Sequence, residues 1–527
     1  MAVIDERSAR RGRIAALART GGVVPAFCAM LAFALVPLAF VAADARAGDW
    51  FTGAAGPYPP DQLQYLAWIR ESANHGLVSN VFNTASSPHA FLHPMFFLSG
   101  LLLLAGVGLG LAFLVWLPIG TAVLLGGYSA YVRRLIPGPG SRRLAVLFVA
   151  LFYGAPLTAL AHWAHVGNGY WAQVLGGELA PAVRLWGYFP AAISVGLLPL
   201  ALLGAERIVD PARRAPGRGP AWYLIWTSLA GALAAWCHPW EGETLLALLV
   251  LLFLWARGAR RLWPLAVPAA ATVLPLIYYW ALTRIDPASW GLDRWRAGTP
   301  TIGWMVAAVA PLAVFAIVGL RRPGADFQER VLVLWPLVAL AFYVKLAITQ
   351  PAHALEGVSL PMSILAARGI AKLRVPRLAI GALVLLGTAP GLAALTATLH
   401  DDLGKRDVYA VLLNRDDRSA LLYLAHAPRA GGVMSSYYLG SVAPAITGRP
   451  TWVGHLAWTP NSLARLRTVD ALFKGELTGG SARQAIRQSD TRFIAQRCRE
   501  GVDLKPALGS MLRAERRFGC DVVYELR

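Results

Sequence analysis

Charged residues are scarce in this sequence. They make up only 15% of the 527 residues, whereas hydrophobic residues make up 56%, and an average soluble domain contains about a quarter of charged residues. Several stretches of about 18 or more nearly uncharged apolar residues are long enough to cross a bilayer as helices. The composition excludes an ordinary soluble protein and predicts a polytopic α-helical membrane protein that has the lipid bilayer as a partner.

Acidic residues are the scarcer of the charged types, with 29 against 49 basic residues and a net charge of +20. The arginines lie in short clusters between apolar runs, which is the positive-inside pattern of membrane proteins. The clusters are residues 7–13, 133–143, 207–218, 257–261 and 321–322. The charge therefore reports orientation in the membrane, and no nucleic-acid partner is expected.

Cysteine is also scarce, and no two of the four cysteines form a C-x-x-C pair, which argues against a cysteine-based metal site. Cys498 and Cys520 both lie in the C-terminal segment and can form a disulfide if that segment is exported. No Walker or dinucleotide-binding motif is present, so ATP-driven chemistry is not expected. No internal repeat is visible, which weakens an inverted-repeat transporter architecture.

The apolar runs predict about eleven membrane crossings. The first run, residues 22–43, is longer than the apolar region of a signal peptide and is interpreted as an uncleaved helix. Residues 91–131 must make one net inward crossing, which a short interfacial or re-entrant helix plus one full span would provide, and the number of helices there stays open. The other spans are predicted near 144–162, 189–206, 221–237, 243–257, 263–283, 302–320, 331–348, 358–373 and 377–398.

Two units follow from this pattern. Residues 1–398 form a transmembrane module with its first extracytoplasmic loop at 44–90, and residues 399–527 form a small extracytoplasmic α/β domain. Alternation of the basic loops places the N-terminus in the cytoplasm. The Arg-, Ala- and Gly-rich composition is typical of a GC-rich bacterium, so the expected location is a bacterial plasma (inner) membrane.

The first loop contains the stretch YPPDQLQYLAWIRESANHG at 58–76. Asp61 follows two prolines and precedes Gln64 by three residues, which predicts an N-cap close to a capping box and a helix over 61–75 that stops at Gly76. One face of this helix carries Asp61, Tyr65 and Trp68. Leu66, Ile69 and Ala73 line the neighbouring face, which could lie on the membrane surface. Capping alone or a chemical role explains Asp61 equally well.

A second polar stretch, WCHPWEGETLL at 236–246, predicts a sharp turn between two spans. His238 and Glu241 within this turn could hold a substrate, bind a metal, or simply leave Glu241 at the positive end of the next helix. Arg284, at a helix end on the same side, is a cation able to meet a phosphate, and Glu178 and Arg184 are weaker candidates there.

The C-terminal segment is dense in aromatic residues at 437–461. Trp452, His455 and Trp458 could form a wall against a sugar acceptor. The alternative is that they form the core of a small domain and its docking surface.

The first-loop pattern P-x-D-Q-x-x-Y-L-x-x-I-R-E resembles the signature D-E-x-x-Y-x-x-I-A-R-E of the GT-C superfamily. This superfamily contains integral-membrane glycosyltransferases such as protein O-mannosyltransferases and aminoarabinose lipid A transferases. Asp61, Tyr65 and the later Pro94 match the signature, whereas Gln62 replaces the usual Glu. The resemblance implies a polyprenyl-phosphate sugar donor, Asp61 as the general base, and Gln62 and Tyr65 beside the substrate.

The stretch HALEGVSLPMSILAARG at 353–369 is similar to the late R-Y-x-x-P-x-x-x-x-L-A-A segment of the same superfamily. Gly357 stands where an Arg is common, so His353 or Arg284 would have to bind the donor phosphate. Members of the superfamily differ in their use of a metal ion, and a divalent cation therefore remains an open cofactor.

Together these patterns predict an inverting glycosyltransferase that passes a sugar to an extracytoplasmic lipid, glycan or protein. The alternatives are a lipid-linked-saccharide transporter, a membrane scaffold, or an O-antigen-ligase-like protein. A transporter needs a polar path at mid-membrane, whereas the ionisable candidates here lie at one boundary.

Overall fold

The structure is a computed structural model, and it describes residues 23–166, 169–256, 260–290, 300–321, 324, 326–346, 351–498 and 500–527. The predicted basic cluster at 7–13 lies outside the described residues, as do parts of the clusters at 257–261 and 321–322. Helices dominate the chain up to residue 404, and strands are concentrated after residue 411.

The α-helices are numbered in chain order. They are α1 Val23–Ala34, α2 Val36–Asp44, α3 Pro59–His75, α4 Pro94–Leu104, α5 Leu109–Leu114, α6 Trp116–Leu135, α7 Gly140–Phe152, α8 Pro156–Trp163, α9 Gly169–Leu179, α10 Phe189–Val209, α11 Pro220–Cys237, α12 Pro239–Trp255, α13 Ala266–Ile285, α14 Pro287–Trp290, α15 Ile302–Gly319, α16 Phe327–Ala341, α17 Ser359–Lys372, α18 Arg377–Gly404, α19 Arg415–His426, α20 Tyr437–Thr447, α21 Ser462–Phe473, α22 Gly479–Gln488 and α23 Lys505–Leu508.

Short 3-10 and π turns and the strands complete the chain. The 3-10 helices are Pro181–Leu185, Pro211–Arg213, Arg260–Leu265, Pro351–Leu355 and Gly509–Met511, and a π-helical turn covers Phe342–Leu346. The strands are β1 Trp50–Phe51, β2 Leu412–Leu413, β3 Gly432–Ser435, β4 Thr491–Gln496, β5 Leu512–Phe518 and β6 Asp521–Leu526.

Among the described residues, eight helices are long and apolar enough to cross a membrane, or nine if the pair α7 and α8, bent by 51°, is one span. This confirms a multi-pass helical protein, while the count of about eleven stays a prediction. Neither α11 nor α12 is among these helices, although the sequence predicts a span in both places. The region 91–131 contains the short apolar helix α4 and one long candidate span over Leu109–Leu135, which agrees with the expected short helix plus one full span.

Helix α10 runs from one end of the bundle to the other. Its 21 residues span about 30 Å, the thickness of the hydrocarbon core. At its far end Glu206 pairs with Arg134 at 2.6 Å, and Arg134 also reaches Asp326 at 2.9 Å. Arg368 pairs with Glu329 at the same end, 2.7 Å apart. Arg134, Glu206 and Asp326 therefore meet at one end of α10. That all the basic loops share one side of the membrane, and that this side is the cytoplasm, stays a prediction.

The C-terminal region contains a four-stranded sheet in the order β3-β4-β6-β5, in which β3 and β4 are parallel and the other pairs antiparallel. Helices such as α19 and α21 occur in the same region, so its content is α/β, as predicted. A disulfide joins Cys498 to Cys520, whose Cα atoms are 4.9 Å apart.

The first loop lies between the bundle and the C-terminal region. Strand β1 pairs with β2, opposing Trp50 to Leu413, and the Arg70 guanidinium of α3 donates to the Ala445 carbonyl of α20. Leu66 and Ile69 are fully buried. The expectation that this face of α3 lies on the membrane surface is therefore wrong, because the C-terminal region and α4 cover the helix.

Candidate active site

Helix α3, which carries Asp61, begins two residues earlier than predicted and has a different N-cap. The helix begins at Pro59, because prolines fit the first helical positions, whose N–H groups have no intrahelical partner. Tyr58 is therefore the N-cap, with a positive φ of 51° and no side-chain capping bond. Asp61 is in the first turn and is not the cap. Gly76 ends the helix with φ of 76°, as predicted.

The Asp61 carboxylate is held between two other parts of the chain. Its Oδ1 lies 2.8 Å from His455 Nε2, and its Oδ2 lies 3.2 Å from the Tyr188 hydroxyl. The backbone N–H of Ala457 donates to His455 Nδ1, so the ring proton lies on Nε2 and is donated to Asp61. The Asp61 side chain remains 29% exposed. It is thus oriented by its neighbours and still accessible to a ligand.

Aromatic rings surround the middle of α3. Tyr65 packs against Phe96, with ring centroids 5.3 Å apart. Trp458 packs against Trp68 at 5.3 Å, and its indole N–H donates to Gln64 Oε1 at 2.6 Å. Gln64 therefore docks the C-terminal region in place of completing the predicted capping box.

Gln62 has a structural position. It is 1% exposed, its Oε1 accepts from the backbone N–H groups of Ala55 and Gly56 at 3.0 and 2.8 Å, and its Nε2 donates to Pro57 O at 3.2 Å. These hydrogen bonds of the Gln62 amide stabilise the turn before α3. The structure therefore replaces the predicted substrate contact of Gln62 with a supporting role.

A buried cation lies behind Tyr188. The Arg184 guanidinium is 5.6 Å from the centroid of the Tyr188 ring, forms an ion pair with Glu178, and lies 2.8 Å from Glu356 Oε1. Burial by itself raises the pKa of Glu178, but Arg184 and His353 outweigh burial and hold that pKa below its ordinary value. The Arg184–Glu178 pair is therefore ionised.

Two histidines extend this cluster. His353 Nδ1 lies 2.8 Å from Glu356 Oε1 and 3.2 Å from Glu178 Oε2. His238 Nδ1 lies 2.6 Å from Glu241 Oε2, and the rings of His238 and His353 are 5.2 Å apart. Residues from α9, the 3-10 helix at 181–185, the start of α12 and the 3-10 helix at 351–355 therefore meet in one network.

The predicted turn at 236–246 is shorter than expected. Helix α12 begins at Pro239, directly after α11 ends at Cys237, so only His238 is outside a helix. Glu241 lies in the first turn of α12 but is 1% exposed and accepts from Ser194 Oγ at 3.1 Å. Glu241 therefore lies near a helix N-terminus and also contacts His238 and Ser194 directly.

Polar atoms of this network remain unpaired within the part of the chain that the structure describes. Buried Glu356 Oε2, Glu241 Oε1 and Arg184 Nε have no hydrogen-bond partner there. Buried polar groups are nearly always hydrogen-bonded, and an unpaired group costs about 1–3 kcal/mol. These atoms are therefore candidates for contact with a bound ligand.

Gly357 cannot be replaced by the arginine common in the similar segment. Its φ is +74°, and an added Cβ would lie 3.2 Å from the Trp335 ring. A side chain at this position is strained and crowded. Arg184, which reaches the neighbouring Glu356, is the cation that the structure brings to this place.

Two of the predicted site residues, Arg284 and Trp452, have other described contacts. Arg284 is exposed and stacks on Trp280, 5.4 Å from the ring centroid, so its described contact is with an aromatic ring and not with the carboxylates. Trp452 is 8% exposed and belongs to the core of the C-terminal region, which agrees with the structural alternative. Of the predicted aromatic wall, His455 and Trp458 contact α3 of the first loop.

Sequence reasoning missed Tyr188 and Glu356 and gave little weight to Glu178 and Arg184. Tyr188 directly precedes α10 and carried no motif. Glu356 lies three residues after His353, within the segment already compared with the superfamily. An acid beside a late histidine at a predicted boundary is the one local signal that could have identified it.

The fold of this chain, a helical bundle with a first-loop helix that carries Asp61 and a C-terminal α/β region, is similar to the folds of two solved glycosyltransferases. The arabinofuranosyltransferase AftD from mycobacteria matches over 96% of this chain with a TM-score of 0.59 and 15% identity, and this chain spans 41% of that longer one.

The oligosaccharyltransferase of Archaeoglobus fulgidus in its apo form matches over 91% of this chain and 70% of its own, with a TM-score of 0.52 and 12% identity. The same archaeal enzyme, AglB, in complex with an inhibitory peptide and a dolichol-phosphate matches with a TM-score of 0.50 and 12% identity, over 89% of this chain and 69% of its own. These likenesses concern the fold. No protein-family model and no curated protein sequence matches the chain.

Proposed function

We propose that this protein is an inverting GT-C-type glycosyltransferase, which moves a hexosyl or pentosyl group from a polyprenyl-phosphate donor to an extracytoplasmic lipid, glycan or protein. One observation carries the proposal. A partly exposed carboxylate, Asp61, is oriented by His455 and Tyr188, and the Tyr188 ring lies 5.6 Å from the buried cation of Arg184. A base and a cation in one site are the pair that this transfer needs.

Asp61 is the base in this mechanism. The acceptor oxygen attacks the anomeric carbon of the sugar, its proton passes to the Asp61 carboxylate, and the bond between that carbon and the donor phosphate breaks. His455 is not suited to this role, because its Nδ1 is occupied by the Ala457 amide and its Nε2–H is donated to Asp61. His455 is a positioning residue for the carboxylate.

Arg184 stabilises the leaving phosphate. The phosphate gains negative charge as the sugar departs, and a fixed guanidinium in a water-poor site stabilises that charge without reorganisation. The Nε of Arg184 is buried and unpaired within the described residues, whereas Nη2 is held by the two glutamates. His353, next to Glu356, lines the same place and keeps its predicted role beside the substrate, as do His238 and Glu241.

A divalent cation has one set of candidate ligands in this cluster. The donor atoms of His238, His353 and Glu356 lie within 4.8 Å of one another. Arg184 already pairs with Glu356 at 2.8 Å, and its positive charge opposes a second cation there. The proposed mechanism therefore uses Arg184 for charge stabilisation and routes no step through a metal ion.

The test is donor turnover by the purified full-length protein and its Asp61→Asn variant. Polyprenyl phosphates that carry labelled arabinofuranose or mannose are offered with a cell-envelope extract as acceptor source. Release of polyprenyl phosphate with labelled product is expected for the wild type, and a loss of at least about 100-fold for the variant. Asp401→Asn is the matched control, because Asp401 is 68% exposed and pairs only at the surface with Lys405.

The same experiment separates the transporter alternative. A transporter moves the intact lipid-linked sugar and leaves the sugar–phosphate bond unbroken. Full turnover by a folded Asp61→Asn variant removes Asp61 from the mechanism, and absence of bond cleavage with every donor and acceptor offered argues against the proposed function.

A further inference from the structure

A second cluster of metal-binding side chains lies at the other end of α3, outside the candidate active site. It consists of Glu71, His75 and His89, whose donor atoms lie within 4.8 Å of one another. Glu71 and His75 are four residues apart on the helix and therefore share one face. His89 comes from the loop that follows α3. Three donors from two separate segments thus meet at one point.

One ligand of this cluster, Glu71, is buried, and the two histidines are exposed to solvent. Glu71 is 5% exposed, and its Oε1 lies 2.9 Å from His89 Nε2 and accepts from Ser79 Oγ at 2.6 Å. The rings of His75 and His89 are 4.1 Å apart, and both histidines are exposed. An ion can reach this place from solvent without rearrangement of the protein core.

We propose that Glu71, His75 and His89 bind one zinc ion, with water as a fourth ligand. Two imidazole nitrogens and one carboxylate oxygen are a common tetrahedral zinc ligand set, with ligand distances of about 2.0–2.2 Å. Calcium and magnesium prefer all-oxygen sites, so the two histidines disfavour them. The simpler interpretation is a Glu71–His89 hydrogen bond with a stacked His75, and the experiment below decides between the two.

Zinc at this site would join α3 to the loop 77–93. That loop is closed at its base by the backbone bridge between Val78 and Phe91 and leads into α4. Zinc would add a second link between α3 and this loop, close to the Val78–Phe91 bridge. Because the unfolded chain does not hold the three ligands together, zinc should bind the folded protein preferentially and stabilise it. The role is structural, and it does not depend on the proposed transferase activity.

The test uses tag-free full-length protein in detergent, freed of metal by a chelator. Zinc should bind with one ion per chain and raise the thermal unfolding temperature, and cobalt(II) should give the absorption of a four-coordinate ion. His75→Gln with His89→Gln should weaken zinc binding by at least about tenfold and abolish the thermal shift. Both positions are exposed, so this variant is expected to fold.

His238→Ala is the control for the other set of candidate ligands and should leave the stoichiometric zinc unchanged, as should His426→Ala on an exposed position of α19. The proposal is overturned if the wild type binds no stoichiometric zinc, or if binding survives in the double variant. Loss of zinc in His238→Ala alone would assign the ion to the active-site cluster and would also overturn it.

Discussion

His455 donates its Nε2–H to Asp61 Oδ1 across 2.8 Å, and the two residues are 394 positions apart in the chain. Asp61 comes from the first loop and His455 from the C-terminal region. The contact means that the candidate base is oriented only when the C-terminal region is docked on the first loop. In the proposed enzyme this region therefore completes the active site.

Removing this hydrogen bond should affect turnover more than binding. In His455→Ala the Asp61 carboxylate loses one of its two orienting partners, and misplacement of a catalytic group by about 1 Å can cost about 100-fold in rate. We expect kcat to fall roughly 10- to 100-fold with little change in the donor KM. Steady-state kinetics measure both. A variant that loses only thermal stability, with kcat intact, would show a purely structural role; His426→Ala is the control.

Arg184→Lys should fold but lose donor turnover. Lysine keeps the positive charge between Glu178 and Glu356 but lacks the planar set of N–H donors. The loss of one charge-stabilising donor typically costs about 100- to 1,000-fold in kcat. Arg184→Ala should instead unfold, because the two buried carboxylates would lose their shared guanidinium and keep only His353 between them, at a cost of about 3–5 kcal/mol.

Kinetics of Arg184→Lys, together with its unfolding temperature, test this point. Arg133→Lys, an exposed position at the opposite end of the bundle, is the control and should behave as the wild type. Wild-type turnover in Arg184→Lys would leave the phosphate without its proposed partner.

Gly357→Ala should destabilise the protein and disturb the cluster. With φ of +74°, alanine costs about 1–2 kcal/mol, and its Cβ would press on Trp335. Thermal unfolding in detergent should show a lower midpoint. Gly480→Ala is the matched control, since a Cβ there meets nothing within 4 Å; an equal effect of both changes would contradict the strain argument.

The free energy of unfolding should depend on pH through Asp521 in the C-terminal region. Burial and the neighbouring Asp417 carboxylate raise the pKa of Asp521 to about 7. The pKa of Asp521 in the folded state is thus above its ordinary value of about 3.9 in the unfolded chain. Between these two pKa values the folded protein keeps a proton on Asp521 that the unfolded chain has lost. The free energy of unfolding therefore decreases as the pH rises from about 4 to 7.

Asp521→Asn should therefore raise stability relative to the wild type at pH 8, on the order of 2 kcal/mol, and the difference should shrink at pH 5. Asn keeps the oxygen that accepts from the Cys498 backbone N–H at 3.1 Å. Thermal or denaturant unfolding at both pH values measures the difference. A constant difference across this range would contradict the assignment; Asp470→Asn, at an exposed position, is the control.

Local rules account for the correct predictions and for the main errors. Helix α3, its stop at Gly76 and the α/β content of the C-terminal region follow from short patterns of turn residues and β-branched residues. The predicted cap at Asp61 failed because two prolines moved the helix start upstream to Pro59. The expected membrane-surface face of α3 failed because burial depends on which distant segment packs on it.

By itself the sequence determined the membrane class, the helix that carries Asp61 and the α/β content of the C-terminal region, because composition, hydropathy and turn chemistry act over a few neighbouring residues. Only the tertiary structure decided that His455 and Tyr188 flank Asp61 and that Glu356 binds Arg184. Those contacts join positions 394, 127 and 172 residues apart, and packing of the whole chain, not any local pattern, brings such positions together.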